Sequence, residues 1–498
     1  MTAIPIALFW LLAIWGLLSR GPVLLYLFFA TMPIGAFAVI PAALTGGLTF
    51  TAAPVVALLL IARTFADQSG PAAFTALAVL PTRLMLLTLF WLVAGIATLF
   101  MPRLFADSVM VVPVRGILSA AAPLQPTAQN ISQFTYMSIA ILSVFAFARI
   151  LRTGDMRQHA LRAICVGATV AAVTGLLDYA SQYLPLDAVL DPFRTASYSL
   201  LTDIEVLGSK RVVGLMPEAS SYGGICLAFL SALYFYRRAL DDDRARQFYV
   251  PAILALLTIC VWLSKSTGTY IGLGVLLLMA ALEWFLRFNT SDLNGAIYRK
   301  GLGIETAVVV SSCIVIAVLA IVDPAMFDPV GSMIQRMVLE KRSSVSFEER
   351  GMWRSVAISA LASTQGLGVG LGSTRSSSAV VAVFSCTGIA GGMLFYAFVL
   401  QCLLRRSTGA VAEKRLFMSA FRFSFVPTFA VSLMVGDAIF GGLAAFGFGL
   451  VTALASIEPA RHPITRNALL PDAGRAHHSA EISRSNPCRR RPIDQTRA

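Results

Sequence analysis

The stretch 250–282 reads VPAILALLTICVWLSKSTGTYIGLGVLLLMAAL and decides the fold class. Two apolar runs, 248–264 and 268–286, are each long enough to cross the hydrocarbon core of a bilayer as a helix. They lack the period-two alternation of a membrane β-strand. We therefore predict two transmembrane helices joined by the polar hinge Ser264–Thr269.

The same pattern recurs along the chain. Hydrophobic residues make up 57% of the sequence and charged residues only 13%, whereas soluble domains carry about 25% charged residues. The mean hydropathy is +0.76. We predict an all-α polytopic membrane protein with about 12–14 transmembrane helices, since each needs about 20 apolar residues. The remaining apolar runs are 4–18, 22–41, 46–62, 84–101, 132–151, 161–184, 222–236, 303–322, 379–404, 416–435 and 437–456.

Basic residues indicate the orientation of these helices. The formal net charge is +13, but Lys and Arg concentrate in short connectors and in the tail, as expected for cytoplasmic loops and not for a nucleic-acid-binding surface. The connectors predicted to be cytoplasmic are 152–162, 237–246, 287–300 and 405–415. Longer outer loops are predicted at 102–131, 185–221 and 323–378. The domain prediction is a membrane domain over 1–456 and a disordered, basic cytoplasmic tail over 457–498.

The seven cysteines and the N-terminus add no further site. None of the cysteines forms a CxxC pair, and six lie in or beside apolar runs, so we expect neither a disulfide set nor a zinc site. The N-terminal apolar run lacks a basic region before it, and another run follows directly. We expect a retained membrane span there and not a cleaved signal peptide.

Charged residues gather on the outer side, where the positive-inside rule disfavours Lys and Arg. The first group contains Arg211 and Glu218, in Lys210–Gly223, and the second is Lys265 in the polar hinge. Capping of the helix near residue 222 is an alternative role for Glu218, and snorkelling is one for Lys265. Helix capping does not account for the adjacent Lys210 and Arg211.

The third group lies in the outer loop over 323–378. Its cations are Arg336, Lys341, Arg342, Arg350, Arg354 and Arg375. Glycines alternate just before Arg375, at Gly366, Gly368, Gly370 and Gly372, and we predict that the backbone N–H groups there form an anion nest. Several cations beside such a loop suit a diphosphate, and a nearby carboxylate suits a general base. A diphosphate at a membrane surface suggests a polyprenyl carrier.

Three stretches in this order resemble the O-antigen polymerase and O-antigen ligase superfamily. They are RVVGLMPEASSYGG at 211–224, LSKSTGTYIGLGVLLL at 263–278 and ERGMWRSVAISALASTQGLGVGLGSTRSSS at 349–378. The resemblance covers roughly 130–400 and implies a GT-C-like helical fold in the bacterial inner membrane, with a periplasmic active site. It also implies transfer of glycan from undecaprenyl diphosphate, without a metal or other cofactor. The implied partners are that lipid-linked glycan, membrane lipid and a chain-length regulator protein.

The resemblance implies roles for individual residues. Arg211 and Lys265 fall where the superfamily places basic residues against the donor diphosphate, although Arg is usual at the position of Lys265. Ligases carry a His-Asn pair after the Gly-rich turn, where this chain reads STRSSS at 373–378. The histidines are His159, His462, His477 and His478, all cytoplasmic in the predicted topology. We therefore favour an exopolysaccharide-type polymerase over a ligase.

The sequence thus yields a mechanistic hypothesis. Glu218 acts as the general base, Arg211, Lys265 and Arg375 stabilise the departing diphosphate, and Arg350 and Arg354 are further candidates for that role. The Gly-rich loop contributes backbone N–H groups at Gly368, Gly370 and Gly372. A ligase, a flippase or transporter, and a structural subunit of an envelope complex are the alternatives.

Overall fold

The computed structural model describes most of the chain up to residue 455. The described residues are 3–40, 44–45, 49–114, 120–196, 200–202, 204–206, 209–289, 345–405 and 412–455, with the single residues 303, 306, 311 and 331. Three predicted features lie outside the described residues. They are most of the span over 303–322 (all but residues 303, 306 and 311), the cations Arg336, Lys341 and Arg342, and the tail over 457–498.

The described residues form helices almost throughout. The helices are α1 (Ala3–Leu18), α2 (Val23–Thr31), α3 (Ala52–Ala66), α4 (Gly70–Val79), α5 (Met85–Leu104), α6 (Ala128–Ile150), α7 (Gly154–Ala180), α8 (Asp187–Leu190), α9 (Ala219–Tyr236), α10 (Val250–Leu263), α11 (Thr267–Phe288), α12 (Val345–Ser363), α13 (Ala379–Leu404), α14 (Ala412–Ser432) and α15 (Gly442–Ala455). The strands are β1 (Ala38–Ile40), β2 (Phe50–Thr51), β3 (Met110–Val111), β4 (Ala122–Pro123), β5 (Glu205–Val206) and β6 (Ser209–Lys210). They pair in sequence order as three antiparallel two-stranded sheets.

The chain is an all-α polytopic membrane protein, as its sequence predicts. Seven helical segments in the described part are long and apolar enough to cross a membrane, and each coincides with a predicted run. Four shorter apolar helices, α1, α3, α4 and α15, accompany them. The seven long segments are Met85–Leu104, Ala128–Ile150, Gly154–Ala180, Ala219–Ala239, Ala245–Leu263, Thr267–Phe288 and Ala379–Leu404.

Apolar side chains divide between an interior and an outward surface. Phe147 of α6 packs edge-on against Phe28 of α2 and Phe446 of α15, with ring centroids 5.3 and 5.9 Å apart. Leu277 and Leu278 of α11, in contrast, are each 63% exposed. Large exposed apolar surfaces are rare on soluble monomers, but they are the expected lipid-facing surface of a membrane bundle.

The sequence prediction of one helix over 22–41 is wrong beyond Thr31. Met32 still has helical backbone angles (φ −57°, ψ −40°), but Pro33 has no N–H with which to continue the helical hydrogen bonds, and the chain turns into strand β1. The Ala36 N–H instead donates to the Leu215 carbonyl at 2.8 Å, and the Ala38 N–H donates to Thr195 Oγ1 at 3.0 Å. This segment therefore supports the loop between α8 and α9.

Helix α13 is interrupted at Gly388, which has φ 75° and ψ 176°. Only glycine adopts this conformation without strain, because it lacks a Cβ atom. The break releases the carbonyls of Ser385 and Cys386, which accept N–H groups from Val369 and Gly370 at 2.8 and 2.9 Å. Hence the Gly-rich turn is hydrogen-bonded into a broken membrane helix.

Candidate functional site

Arg211 lies where the loop before α9 meets the end of α10. Its Nε donates to the Ser264 carbonyl at 3.1 Å, and the neighbouring Val212 N–H donates to the Leu263 carbonyl at 3.2 Å. Partial burial lowers the pKa of the Arg211 guanidinium, while the negative charge of Glu218 opposes that shift. The fold therefore holds a partly desolvated cation near a carboxylate.

Lys265 shares this location with Arg211. It occupies the left-handed region (φ 45°) in the tight turn between α10 and α11. Burial and, secondly, the positive charge of Arg211 lower the pKa of the Lys265 ammonium. Because two cations this close repel each other, their proximity favours an additional anion between or beside them.

Glu218 precedes the first turn of α9 in an extended conformation. Its side chain makes no capping hydrogen bond to the helix backbone. Instead, the Ser220 hydroxyl donates to Glu218 Oε1, and the Ser221 hydroxyl donates to the same oxygen at 3.3 Å. The geometry thus disfavours a simple capping role and leaves a carboxylate held by hydroxyl groups beside Arg211.

A buried carboxylate, Asp178, anchors the loop that carries these residues. Asp178 is fully buried near the end of α7. Its Oδ2 accepts the N–H groups of Val213 and Gly214 at 2.7 and 3.0 Å, and its Oδ1 accepts Arg194 Nη2 at 2.8 Å. An acidic residue within an apolar helix is a signal of function, but the sequence alone does not reveal that Asp178 binds this loop.

Arg350 and Arg354 line a cleft next to the α10–α11 turn. They lie four residues apart on α12, so they share one helix face. The cleft contains about 890 Å³ of free space, and its lining also includes Thr267 and Gly268, which follow Lys265 closely in the chain. The predicted outer loop over 323–378 therefore contains a helix, α12, that the sequence analysis did not predict. This helix brings its two arginines to the start of α11.

Arg375 is not among the residues that line this cleft. Its guanidinium donates from Nε to the Pro113 carbonyl at 2.9 Å and from Nη2 to the Val114 carbonyl at 2.7 Å. The guanidinium carbon also lies 5.4 Å from the centre of the Trp353 ring. These contacts tie the Gly-rich turn to the segment after β3.

The predicted anion nest at Gly368, Gly370 and Gly372 is not formed. The Gly368 N–H donates to Thr364 Oγ1 at 3.1 Å, and the Gly370 N–H donates to the Cys386 carbonyl. Two of the three predicted donors thus have protein partners, and the positive φ angles at this turn allow close packing against α5, α6 and α13.

A second carboxylate, Asp437, lies in the turn between α14 and α15. It borders an apolar cavity of about 180 Å³ whose lining includes Phe395, Tyr396 and Phe429. The Asp437 side chain is exposed at the edge of this cavity, and the Ile439 N–H donates to its Oδ1 at 2.9 Å. Gly436 pairs with Ser376, so this turn lies beside the end of the Gly-rich segment.

Comparison with known proteins identifies no relative: the chain matches no protein-family model, and no curated protein matches it.

Proposed function

We propose that this chain polymerises oligosaccharide repeat units carried on undecaprenyl diphosphate, at the periplasmic face of the bacterial inner membrane. The observation that carries the proposal is the grouping of Arg211, Lys265 and Glu218 at one end of α9, α10 and α11. The cleft with Arg350 and Arg354 adjoins the same turn. A carboxylate beside several cations suits transfer from a diphosphate donor.

The reaction assigns a separate task to each kind of group. Glu218 takes the proton from the acceptor hydroxyl of a lipid-linked repeat unit, and the resulting oxygen attacks the anomeric carbon of the growing chain. A new C–O bond forms with inversion as the bond to the diphosphate oxygen breaks, and the electron pair leaves with undecaprenyl diphosphate. Arg211 and Lys265 stabilise the developing charge, and Arg350 and Arg354 hold the diphosphate or the adjoining sugar.

Electrostatic stabilisation of the leaving group supplies the largest catalytic effect in this scheme. Pre-placed donors act strongly in a partly desolvated site because they need no reorganisation during the reaction. Arg375 has a structural role in this scheme and does not bind the diphosphate, since its hydrogen bonds to the Pro113 and Val114 carbonyls hold the Gly-rich turn in place. Asp178 positions Arg211 and Glu218 through the loop backbone at Val213 and Gly214.

The position of His159 favours a polymerase over a histidine-dependent ligase. Its Nδ1 lies 3.2 Å from the Tyr26 hydroxyl, near the start of α7. Asp178, which anchors the proposed active-site loop, lies near the other end of the same helix, roughly 28 Å away at 1.5 Å per residue. In the described part of the chain, Glu218 is therefore better placed than any histidine to serve as the base.

The decisive experiment is complementation of a deletion strain with the wild-type chain, E218Q and E205Q. Surface glycan and lipid-linked intermediates are measured together. We expect E218Q to reduce polymer formation by about 10²–10⁴-fold, the usual contribution of a general base, while single repeat units accumulate on the lipid. Glu205 lies in β5 of the same loop, and E205Q should give a normal polymer ladder at equal protein abundance.

Three outcomes would contradict the proposal. Normal polymer from E218Q would remove Glu218 from the reaction. Long polymer stranded on undecaprenyl diphosphate in the deletion strain would identify a ligase. Repeat units confined to the inner leaflet would identify a flippase.

A further inference from the structure

A second cavity lies at the other end of α7, among three helix-connecting turns. Its volume is about 790 Å³. The turns are those between α1 and α2, between α3 and α4, and between α6 and α7. By the positive-inside rule this side is predicted to face the cytoplasm, so the cavity lies away from the proposed glycan site.

Three arginines line this cavity, and two of them also fix its walls. Arg63 Nη1 donates to the carbonyls of Gly16 and Gly21 at 3.1 and 3.0 Å, which holds the α1–α2 turn. Arg149 forms an ion pair with Asp67 and donates to the Ser69 carbonyl at 2.9 Å, which holds the α3–α4 turn. Both arginines are therefore rigidly placed.

The third arginine, Arg20, is exposed and has no hydrogen-bond or ion-pair partner within the described residues. The acidic groups that line the cavity are Asp67, which is paired with Arg149, and Asp155 in the first turn of α7. Among the lining side chains other than His159, three arginines and two aspartates leave one net positive charge. This balance suits a ligand with a single negative charge better than a diphosphate.

The remaining lining is mostly apolar and includes Leu24, Leu60 and Met156. The last turns of α1 border the cavity and expose Trp15 and Leu18 by 57% and 78%, as expected for a helix end at the lipid interface. Leu24 and Leu60 are buried, whereas Leu17 near the end of α1 also lines the cavity and is 39% exposed. A free phosphate would leave Leu17 in water, whereas an acyl chain would cover it. Basic pockets between membrane helices on the cytoplasmic side characteristically bind anionic lipid headgroups.

We propose that the cavity lined by Arg20, Arg63 and Arg149 binds the phosphodiester headgroup of a singly charged anionic phospholipid, with an acyl chain along α1. Arg20 and Arg63 contact the phosphate oxygens, and Leu17 of α1 contacts the first acyl carbons. The site is independent of the glycan chemistry.

The test is a binding measurement on the purified full chain in neutral detergent, without any glycan. Three probes are titrated: short-chain phosphatidylglycerol, phosphatidylcholine with the same chains, and glycerol phosphate. We expect binding of phosphatidylglycerol only. R20Q should weaken it about fivefold, the usual effect of one arginine near an anionic lipid surface. R152Q, an exposed arginine on the same side that does not line the cavity, should bind like the wild type.

The alternatives have distinct results. Equal binding of phosphatidylcholine, or equal weakening by R20Q and R152Q, would mean unspecific association and overturn the site. Glycerol phosphate binding as tightly as the lipid would identify a soluble anion as the ligand and overturn the lipid assignment. R63K serves as a second variant, since it keeps the charge while it loses the two-carbonyl contact. A folded R63K protein that binds phosphatidylglycerol as weakly as R20Q supports the proposal. If R63K and R20Q both bind phosphatidylglycerol as tightly as the wild type, the proposal is overturned.

Discussion

Arg211 and Arg375 lie in two segments of similar composition, but the fold gives their guanidinium groups different partners. Each is near a glycine in the left-handed region, Gly214 at φ 57° and Gly372 at φ 77°. Arg211 donates to one carbonyl, at Ser264, and lies close to Glu218 and Lys265. Arg375 donates to two carbonyls and lies over Trp353. An arginine beside a Gly-rich turn is thus a ligand-binding candidate only when backbone carbonyls do not already occupy its donors.

The largest expected effect is the contrast between R211Q and R375Q. We expect R211Q to lower polymer formation about 10²–10³-fold per folded molecule, the usual loss when a donor to the developing charge is removed. R375Q should lower the amount of folded protein and its unfolding temperature, while the surviving molecules retain activity. Polymer synthesis in membranes is measured alongside protein abundance.

Two results would reverse this comparison. A folded, abundant R375Q protein without activity would return Arg375 to the diphosphate site. An R211Q protein that loses abundance in proportion to activity would make Arg211 structural. R103Q is a suitable control, since Arg103 contacts only the Leu99 carbonyl of its own helix among the hydrogen bonds of the described residues.

A smaller effect is expected from G388A, which tests the support of the Gly-rich turn. An added Cβ would lie 2.6 Å from the Leu367 carbonyl oxygen and 2.7 Å from that of Gly366. The backbone conformation is also strained for alanine, so we expect a loss of about 1–3 kcal/mol in stability. Thermal unfolding in detergent measures it.

The matched control for that change is G274A in α11, where an added Cβ would meet no atom within 4 Å. Alanine favours helix over glycine, so its unfolding temperature should be unchanged or slightly higher. Equal unfolding temperatures for G388A and the wild type would show that the helix break does not depend on glycine.

The smallest expected effect is a shift in pH dependence from K265R. Burial and Arg211 lower the pKa of Lys265, so the wild type should lose activity as alkaline pH removes this charge. Arginine stays protonated throughout the accessible pH range, so K265R should remain active at higher pH than the wild type. At neutral pH its activity should be within about tenfold of the wild type, because arginine contacts a phosphate with a different, bidentate geometry. Rates across pH in proteoliposomes measure it.

K210R is the control for K265R, since Lys210 lies in β6, next to Arg211 in the chain. Its alkaline limit should match that of the wild type. If K265R and the wild type share one alkaline limit, Lys265 does not contribute the charge that activity requires.

The sequence predicted some features of the candidate site and missed others for a common reason. Lys265 and Glu218 were predictable because a charge at the end of an apolar helix is costly and visible in the local sequence. The roles of Arg375 and Asp178 were not. Arg375 bonds to carbonyls about 260 positions earlier in the chain, and Asp178 accepts N–H groups 35 and 36 positions later. Such partners have no signature in a single sequence.

The membrane class and seven long helical segments follow from the sequence alone, because a span of about 20 apolar residues is a local property. The segment 32–40 was decided by tertiary structure, since its backbone donors pair with Leu215 and Thr195 and not with its own helix. Tertiary structure also decided which cations face a cleft and which are bound to carbonyls. A side chain's charge is fixed by its residue type, but the partners that satisfy it are fixed by the packing of distant helices.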